Sequence, residues 1–169
     1  MVDTTSPVDE GSLAVLARLD AGETLSIDEV GPVFPAERDE FGTATLGLRW
    51  DGLHRDRVTA HLDVGERHHQ PYGIVHGGVW CSVIESMASI GAALRVASAG
   101  KVVVGVSNST DFIRSHRAGR VDAVGTPIHA GRTQQLWVVE LTSADTGKLL
   151  SRGQVRLQNI DAAQIGGGA

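Results

Sequence analysis

The chain has only one cysteine and few aromatic residues among its 169 positions. A single thiol, Cys81, cannot form a disulfide within the chain, so the sequence does not predict a small fold held together by disulfides. Aromatic residues make up 4% of the total, which means that aliphatic residues and alanine must fill the interior. The hydrophobic share of 41% and the charged share of 21% are typical of one globular domain.

A basic excess and long apolar runs are also missing. The net charge of −5 argues against a surface built to bind nucleic acid, because proteins that bind the phosphate backbone usually carry many basic residues. The apolar runs are a handful of residues long, whereas a membrane-spanning helix needs about 20. The first residues do not form a basic segment followed by an apolar one, as in a secretory leader. We therefore expect a cytoplasmic protein that binds neither nucleic acid nor membranes.

The hydrophobic pattern predicts one long helix with strands before and after it. From about Gly78 to Ala97 the apolar residues recur at helical spacing. The face expected to contact the core carries Val79, Val83, Met87, Ile90 and Leu94. Alternating residues at 41–50 and 58–64, around a turn at Asp51–Gly52, predict a hairpin before the helix, and strands are expected after it at 101–113, 121–129, 134–142 and 148–160. Short connections favour antiparallel neighbours, so we expect an α+β fold in which a helix is followed by an antiparallel meander that lies against or around it.

We expect the chain to have three parts. Residues 1–40 are expected to form an N-terminal extension with one short helix, capped by Ser12 and ending near Gly22. Its apolar stripe is predicted to contain Leu13, Leu16, Ala17 and Leu19. Residues 41–160 form the main domain, and residues 161–169, which have little to bury, are expected to be a disordered tail.

Glu85 is the strongest candidate for a functional side chain. On a helical wheel it shares a narrow face with Gly78, Ser82 and Ser89, roughly opposite the core face. The flanking residues are small, namely Cys81, Ala88, Ala92 and Ala93. A face of this kind is open to close approach by another molecule.

The isolation of Glu85 supports a functional role. It is the only formally charged side chain, histidines apart, between Arg67 and Arg95, whereas a solvated helix face normally carries several charges. We expect a partner to cover this face. A partly desolvated carboxylate is suited to act as a general base or as a nucleophile.

The segment just before the helix supplies a second candidate group. His76, Gly77 and Gly78 precede the first helical turn, whose unpaired N–H groups and positive dipole end can hold a carbonyl oxygen or a thiolate. The histidines at 68, 69 and 76 have no cysteine or carboxylate at ligand spacing, so no metal site is predicted.

Several arginines lie at predicted strand ends and turns. Arg114, Arg117 and Arg132 can either solubilise these turns or bind the phosphate groups of a polyanionic ligand. The sequence alone leaves both interpretations open.

These motifs together resemble a known family. The chain has Gly73-Ile-Val-His76-Gly77-Gly78, an acid nine positions after the histidine, and later Asp111-Phe112 and His129-Ala-Gly131-Arg132-Thr133. This order resembles the hotdog-fold acyl-CoA thioesterases of the phenylacetic-acid-degradation type, including the 4-hydroxybenzoyl-CoA thioesterase subgroup with a catalytic glutamate. The resemblance covers about residues 42–160 and implies a hotdog fold, an antiparallel sheet wrapped around one long central helix.

The resemblance also implies residue roles. An aryl- or short- to medium-chain acyl-CoA is hydrolysed to the free acid and CoA, with Glu85 as nucleophile or general base and the Gly77 N–H polarising the carbonyl. Gln70 helps to place the substrate or water, His76 supports the loop, and Ser89 orients water where the family has threonine. The substrate and its CoA part are expected to contact Gly78, Arg114, Arg117, Arg132 and Thr133. No cofactor or metal is expected, since CoA is part of the substrate.

Helix geometry indicates that the site is shared between subunits. Gly77 and Glu85 are eight residues apart, about 12 Å along a helix, so one copy cannot bring both to one carbonyl. A two-fold dimer with antiparallel helices can. We therefore expect at least a dimer, and the resemblance extends this expectation to a tetramer.

Two other functions fit part of the pattern. A hotdog hydratase or dehydratase shares the fold but needs an acid and a base at the acyl Cα and Cβ. A non-catalytic acyl-CoA-binding protein would keep the glycines and arginines but would not require Glu85. The glutamate after His-Gly-Gly favours the thioesterase.

Overall fold

The computed structural model describes residues 10–34 and 40–164. The regular elements are α1 (Glu10–Asp20), β1 (Arg49–His54), β2 (Arg57–Val64), α2 (Gly77–Val96), β3 (Lys101–Phe112), β4 (Gly119–Ala130), β5 (Gln134–Ser143) and β6 (Leu149–Asp161). Predictions made for residues 1–9, 35–39 and 165–169 lie outside the described residues. The division into extension, main domain and tail stays a prediction, although β6 extends to Asp161 and a turn of 3-10 helix follows at Ala162–Gln164.

Six strands form one antiparallel sheet in the order β1-β2-β4-β5-β6-β3. Helix α2 contacts every strand. Its core face buries Val83, Met87, Ile90 and Leu94 as the sequence predicts, while Val79 is only half-buried. The sheet around one long helix confirms the expected hotdog arrangement.

Helix α2 approaches the sheet most closely at Gly91. A Cβ atom at this position would lie 2.6 Å from Cη2 of Trp137, a fully buried residue of β5. The indole N–H of Trp137 donates to Gln135 Oε1 at 3.0 Å, and Gln135 Nε2 donates to the Ala92 carbonyl at 3.0 Å. Glycine at 91 is therefore required by packing, since any side chain would push the helix away from the indole ring.

The segment Gly77–Ala99, with a mean hydropathy of 1.3, is long and apolar enough to cross a bilayer by length and composition. Half of it is buried inside the fold. A helix surrounded by its own sheet needs this apolar character to form the core.

The meander prediction is only partly correct. Strands β4, β5 and β6 are sequential neighbours, but β3 lies at the far edge and pairs with β6 instead of β4. The six-residue connection between β3 and β4 can extend about 20 Å, and three strand spacings amount to about 15 Å. A short connection therefore does not force two strands to be adjacent.

The predicted first hairpin is displaced. Residues Glu40–Thr45 form a turn of π-helix, and the strand expected at 41–50 begins only at Arg49. Asp51 and Gly52 lie within β1, where a bulge falls between Trp50 and Gly52, and the turn itself is at residues 55–56. Glycine in a strand commonly marks a bulge, and here it was misread as a turn.

The chain before β1, described at residues 10–34 and 40–48 and called the N-terminal segment below, packs onto the helix and sheet. Helix α1 buries Leu16 and Leu19, but Leu13, assigned to the same stripe, is 56% exposed. Ser12 is not the cap, because the helix already includes Glu10, and the Ser12 hydroxyl donates to the Pro32 carbonyl at 3.0 Å. The segment after the helix is joined to β1 by an antiparallel bridge between Leu25 and Leu53.

A polar cluster holds the turn that follows this bridge. Glu29 accepts from the Ser26 N–H at 2.9 Å, from Arg18 at 2.9 Å and from the Ser26 hydroxyl at 3.0 Å. The Ser26 N–H, followed by the Arg18 guanidinium, lowers the pKa of Glu29 to about 2. The carboxylate therefore stays ionised, and its bonds to the turn stay in place, over the usual range of pH.

Replacing Gly91 by alanine is expected to destabilise the fold. The new methyl group would overlap Trp137, and overpacking of this kind typically costs about 1–3 kcal/mol, more than the gain of up to about 1 kcal/mol in helix propensity. Urea unfolding of Gly91→Ala measures the change. Gly65→Ala is the control, because a Cβ there meets nothing within 4 Å. Equal stability of the Gly91 variant and the wild type would contradict the packing argument.

Candidate functional site

The Glu85 carboxylate is half-buried between α2 and β3. Asn108 Nδ2 donates to Glu85 Oε2 at 2.9 Å, and the Ser89 hydroxyl donates to Oε1 at 3.4 Å. Asn108 also donates to the Cys81 carbonyl at 3.1 Å, which ties β3 to the helix. Both carboxylate oxygens thus have a donor that fixes the side chain.

Strand β3 is shaped to admit this carboxylate. A Cβ atom on Gly105 would lie 2.8 Å from Glu85 Oε1, so a side chain there would displace the carboxylate from its present position. The pairing of β3 with β6 is irregular between Gly105 and Ser107. Bulges are frequent next to functional sites, where they redirect the side chains of a strand.

Glu85 opens onto a cavity of about 760 Å³. Ser89 and other small or apolar residues of α2 form one wall, and β3 contributes Asn108. The remaining wall comes from the N-terminal segment, with Val33, Phe34 and Phe41. Ala88 and Ala92, which were expected to flank an open face, are fully buried instead, because the sheet covers that side of α2.

The glycine motif forms the N-terminus of α2. His76 is the cap residue, and its Nδ1 accepts from the Gly78 N–H at 2.9 Å. The Gly78 N–H is therefore occupied, whereas no acceptor for the Gly77 N–H lies among residues 10–34 and 40–164. Phe112 covers this glycine closely, since a Cβ on Gly77 would lie 2.6 Å from the phenyl ring.

The loop that carries Gln70 leads into this helix start. The Gln70 N–H donates to the Ile74 carbonyl at 2.8 Å, and its side-chain oxygen accepts from the Tyr72 N–H at 3.4 Å. Gly73 has a φ of 69°, which favours glycine in this tight turn. The turn is fixed from outside by Arg117, whose Nη1 donates to the Gly73 carbonyl at 2.9 Å.

A second cavity, of about 480 Å³, adjoins this loop. Gln70, His76 and Gly77 line it together with Phe112 and Arg114. Glu85 and Ser89 line the first cavity and not this one. The structure thus places the predicted residues of one chain in two separate cavities. Glu85 and Ser89 line the first, and Gln70, His76 and Gly77 line the second.

The predicted phosphate-binding residues lie at opposite ends of the sheet. Arg114 and Arg117 lie in the connection before β4, and Arg132 and Thr133 lie in the turn after it. Strand β4 has 12 residues, about 40 Å in extended length. The two pairs therefore do not meet within one chain, and their role in CoA binding stays a prediction.

The neighbouring histidines have structural partners. His68 is buried, its Nδ1 accepting from the Gly65 N–H and its Nε2 lying 3.0 Å from the Leu46 carbonyl. His69 contacts the Arg117 carbonyl through Nε2. In the described part of the chain, no group of three histidine, cysteine or acidic side chains is placed to hold a metal ion.

Sequence reasoning missed Asn108 and Gly105, and it quoted Phe112 only in the motif Asp111-Phe112, without its contact with Gly77. The polar run Ser107–Thr110 inside an otherwise strand-like stretch is the signal that points to Asn108. Gly105 and Phe112 become visible only through their distances to Glu85 and Gly77, which depend on how β3 packs on α2. No local pattern in the sequence carries that information.

Comparison with known proteins identifies the family. Residues 72–150 match the model of the Thioesterase superfamily. A protein of Mycobacterium tuberculosis named as an esterase is 49% identical over 119 residues, which cover 69% of this chain and 84% of that protein. A 1,4-dihydroxy-2-naphthoyl-CoA hydrolase of Listeria monocytogenes is 35% identical over 106 residues, which cover 63% of this chain and 85% of that enzyme.

Solved structures agree with the sequence relatives. The structure of the Mycobacterium tuberculosis esterase has a TM-score of 0.69 at 48% identity and covers 71% of this chain and 96% of its own. A thioesterase from Haemophilus influenzae has a TM-score of 0.72 at 27% identity and covers 83% of this chain and 94% of its own. The chain therefore belongs to the Thioesterase superfamily, and it is a hotdog-fold thioester hydrolase.

Proposed function

We propose that the enzyme hydrolyses the CoA thioester of an aromatic acid to the free acid and CoA. The observation that carries this proposal is a carboxylate held by two donors at the mouth of a large, mostly apolar cavity. A related enzyme whose name gives a naphthoyl-CoA substrate supports the substrate class. A cavity of about 760 Å³ lies in the usual range of about 300–1,000 Å³ for small-molecule sites.

The chemistry requires a nucleophile and an electrophilic group at the same carbonyl. Glu85 either attacks the carbonyl carbon, giving a mixed anhydride that water then hydrolyses, or removes a proton from the water that attacks. In both routes a C–O bond forms, the C–S bond breaks, and CoA leaves as a thiolate that takes up a proton. The Gly77 N–H and the positive end of α2 stabilise the oxyanion, a contribution typically worth about 3–4 kcal/mol for one donor.

The two halves of this site come from different subunits in the proposed enzyme. Glu85 and Gly77 lie in separate cavities of one chain and about 12 Å apart along α2. Strand β3 is an edge strand of 12 residues. It exposes Val106 to 51% and Phe112 to 58%, an apolar edge that a second copy can cover.

In the proposed dimer, two β3 strands pair in antiparallel orientation, which accounts for the predicted CoA-binding residues. This pairing brings the start of one β3 next to the end of the other. The turn with Arg132 and Thr133 lies near the start of β3, because Asn159, which pairs with Val103, also bonds to the Thr133 carbonyl. Arg114 follows the end of β3. In such a dimer the turn with Arg132 and Thr133 of one subunit lies near Arg114 of the other. Both can then approach one CoA molecule, whose phosphates need cationic partners.

Removal of the Glu85 carboxylate is expected to abolish hydrolysis. Glu85→Gln keeps the size of the side chain but provides neither a strong nucleophile nor a base, so kcat for thiol release from 2-naphthoyl-CoA should fall at least about a hundredfold. Glu140→Gln is the control, because Glu140 lies on the exposed side of β5, paired with Arg152. Activity of Glu85→Gln within a few-fold of the wild type would refute the assigned role.

Subunit mixing tests the shared site. Gly77→Pro removes the N–H that the site needs and adds a ring against Phe112. The backbone can accept it, because proline is tolerated at the first helical position and His76 has the extended ψ of 134° that a following proline prefers. Gly77→Ala is its control, since it adds a Cβ against Phe112 but keeps the N–H.

Equal mixing of Glu85→Ala and Gly77→Pro subunits should restore about a quarter of the wild-type activity, because half of the random dimers are mixed and each has one intact site. Each variant alone should stay inactive. No recovery at any mixing ratio, once exchange of subunits is demonstrated by mass spectrometry, would place both groups in one subunit.

Asn108 is expected to matter through the carboxylate that it holds. Asn108→Leu removes the donor to Glu85 and should lower kcat by about tenfold. Because Asn108 also lines the cavity, kcat and not KM is the readout of its bond to the carboxylate. Asn108→Gln and Asn108→Ser are compared in the same assay, and a variant that restores the donor should recover activity. An Asn108→Leu enzyme with unchanged kcat would show that the hydrogen bond has no role in hydrolysis.

A further inference from the structure

The N-terminal segment forms part of the wall of the Glu85 cavity. Val33 and Phe34 come from the end of its described first stretch, and Phe41 comes from the π-helical turn Glu40–Thr45. All three lie before residues 72–150, the region that matches the family model. This wall is therefore built by a part of the chain outside the family match.

The opposite wall continues along α2 away from the carboxylate. Beyond Glu85 it presents Ile90, Ala93, Leu94 and Ala97. Ala97 is twelve positions after Glu85, which corresponds to about 18 Å of helix. Apart from Lys101, this part of the cavity has only uncharged lining residues, so it is suited to an apolar group several carbon atoms longer than acetyl.

The two phenylalanines differ in how they are held. Phe34 is half-buried and packs against the core, and its N–H donates to the carbonyl of the fully buried Val30 at 2.7 Å. Phe41 is 57% exposed at the cavity wall. An exposed aromatic ring beside an anchored one leaves apolar surface that a bound ring system can cover.

We propose that Phe34 and Phe41 determine acyl-group specificity by contacting the aromatic acyl group of the thioester. This inference rests on the proposed function, because it places the carbonyl carbon beside Glu85 and the acyl group along α2. Aromatic side chains favour flat ring systems through offset stacking and edge-to-face contacts. The N-terminal segment thereby selects the acid, while α2 and β3 supply the carboxylate.

The test compares Phe41→Ala with Leu13→Ala. Leu13 belongs to the same segment and is equally exposed, at 56% against 57%, but it does not line the cavity. For 2-naphthoyl-CoA, Phe41→Ala should lower kcat/KM about tenfold through KM, while Leu13→Ala should leave it unchanged. For acetyl-CoA, too small to reach the ring, both variants should match the wild type within about twofold.

An aliphatic substrate separates ring recognition from simple apolar contact. In Phe41→Ala, kcat/KM for octanoyl-CoA should fall less than kcat/KM for 2-naphthoyl-CoA. Phe34→Leu keeps an apolar side chain in the core, and it should likewise lower kcat/KM more for 2-naphthoyl-CoA than for octanoyl-CoA. Equal losses for the three thioesters, or no loss for any, would overturn the proposal. An equal loss for the octanoyl and naphthoyl thioesters would overturn its aromatic part.

A binding measurement separates this inference from the proposed function. The thioether analogue of 2-naphthoyl-CoA cannot be hydrolysed, and its Kd is measured by calorimetry for the wild type, Phe41→Ala and Leu13→Ala. A Kd raised about tenfold in Phe41→Ala alone supports the specificity role even where thiol release is not observed. Equal Kd values in all three proteins refute the role whatever the enzyme hydrolyses.

Discussion

One rigid helix carries both the Gly77 N–H and the Glu85 carboxylate, and its fixed rise keeps them about 12 Å apart. Most other features of the site follow from this constraint. At the Gly77 end, His76 caps the helix and Phe112 packs on the glycine. At Glu85, Asn108 and Ser89 donate hydrogen bonds to the carboxylate. Each half is ordered by its own contacts. A site that needs both halves must therefore bring together two helices.

The helix can serve as this fixed element because a buried polar network holds its middle. Gln135 Nε2 donates to the Ala92 carbonyl and, at 2.9 Å, to Asn159 Oδ1, and Trp137 donates to Gln135 in turn. Asn159 Nδ2 continues to the Gly131 carbonyl at 3.0 Å, in the turn with Arg132. Satisfied buried networks favour a single arrangement of a core. The same contacts that hold α2 also position the turn that contains Arg132.

Periodicity predicted the elements whose patterns are local. The helix from 78 to 97 and the four strands after it agree with the structure to within a few residues. The burial of α2, β5 and β6 follows the helical or strand period, whereas β3, at the sheet edge, is mostly exposed without alternation. The isolated charge of Glu85 and the His-Gly-Gly motif also led to residues that line the two cavities. These signals lie within short stretches of sequence.

What the sequence did not reveal depends on contacts between distant segments. The place of β3 at the sheet edge follows from its pairing with β6, and the bond from Asn108 to Glu85 spans 23 positions. Phe34 and Phe41 line the cavity because the chain before β1 packs against the helix and sheet. Ser12 was misread as a helix cap because its hydroxyl partner, the Pro32 carbonyl, is 20 positions away.

The carboxylate of Glu85 and the edge position of β3 are linked. The carboxylate occupies the space that a Cβ at Gly105 would take, and the register of β3 is irregular beside it. Glycine weakens a strand because it contributes no side chain to packing. The same strand exposes Val106 and Phe112 and has pairing on one side only. Pairing with a second copy would offset this weakness along the strand that borders the carboxylate. A side chain at position 105 would then strengthen β3 but displace the carboxylate of the site that we propose a second copy completes.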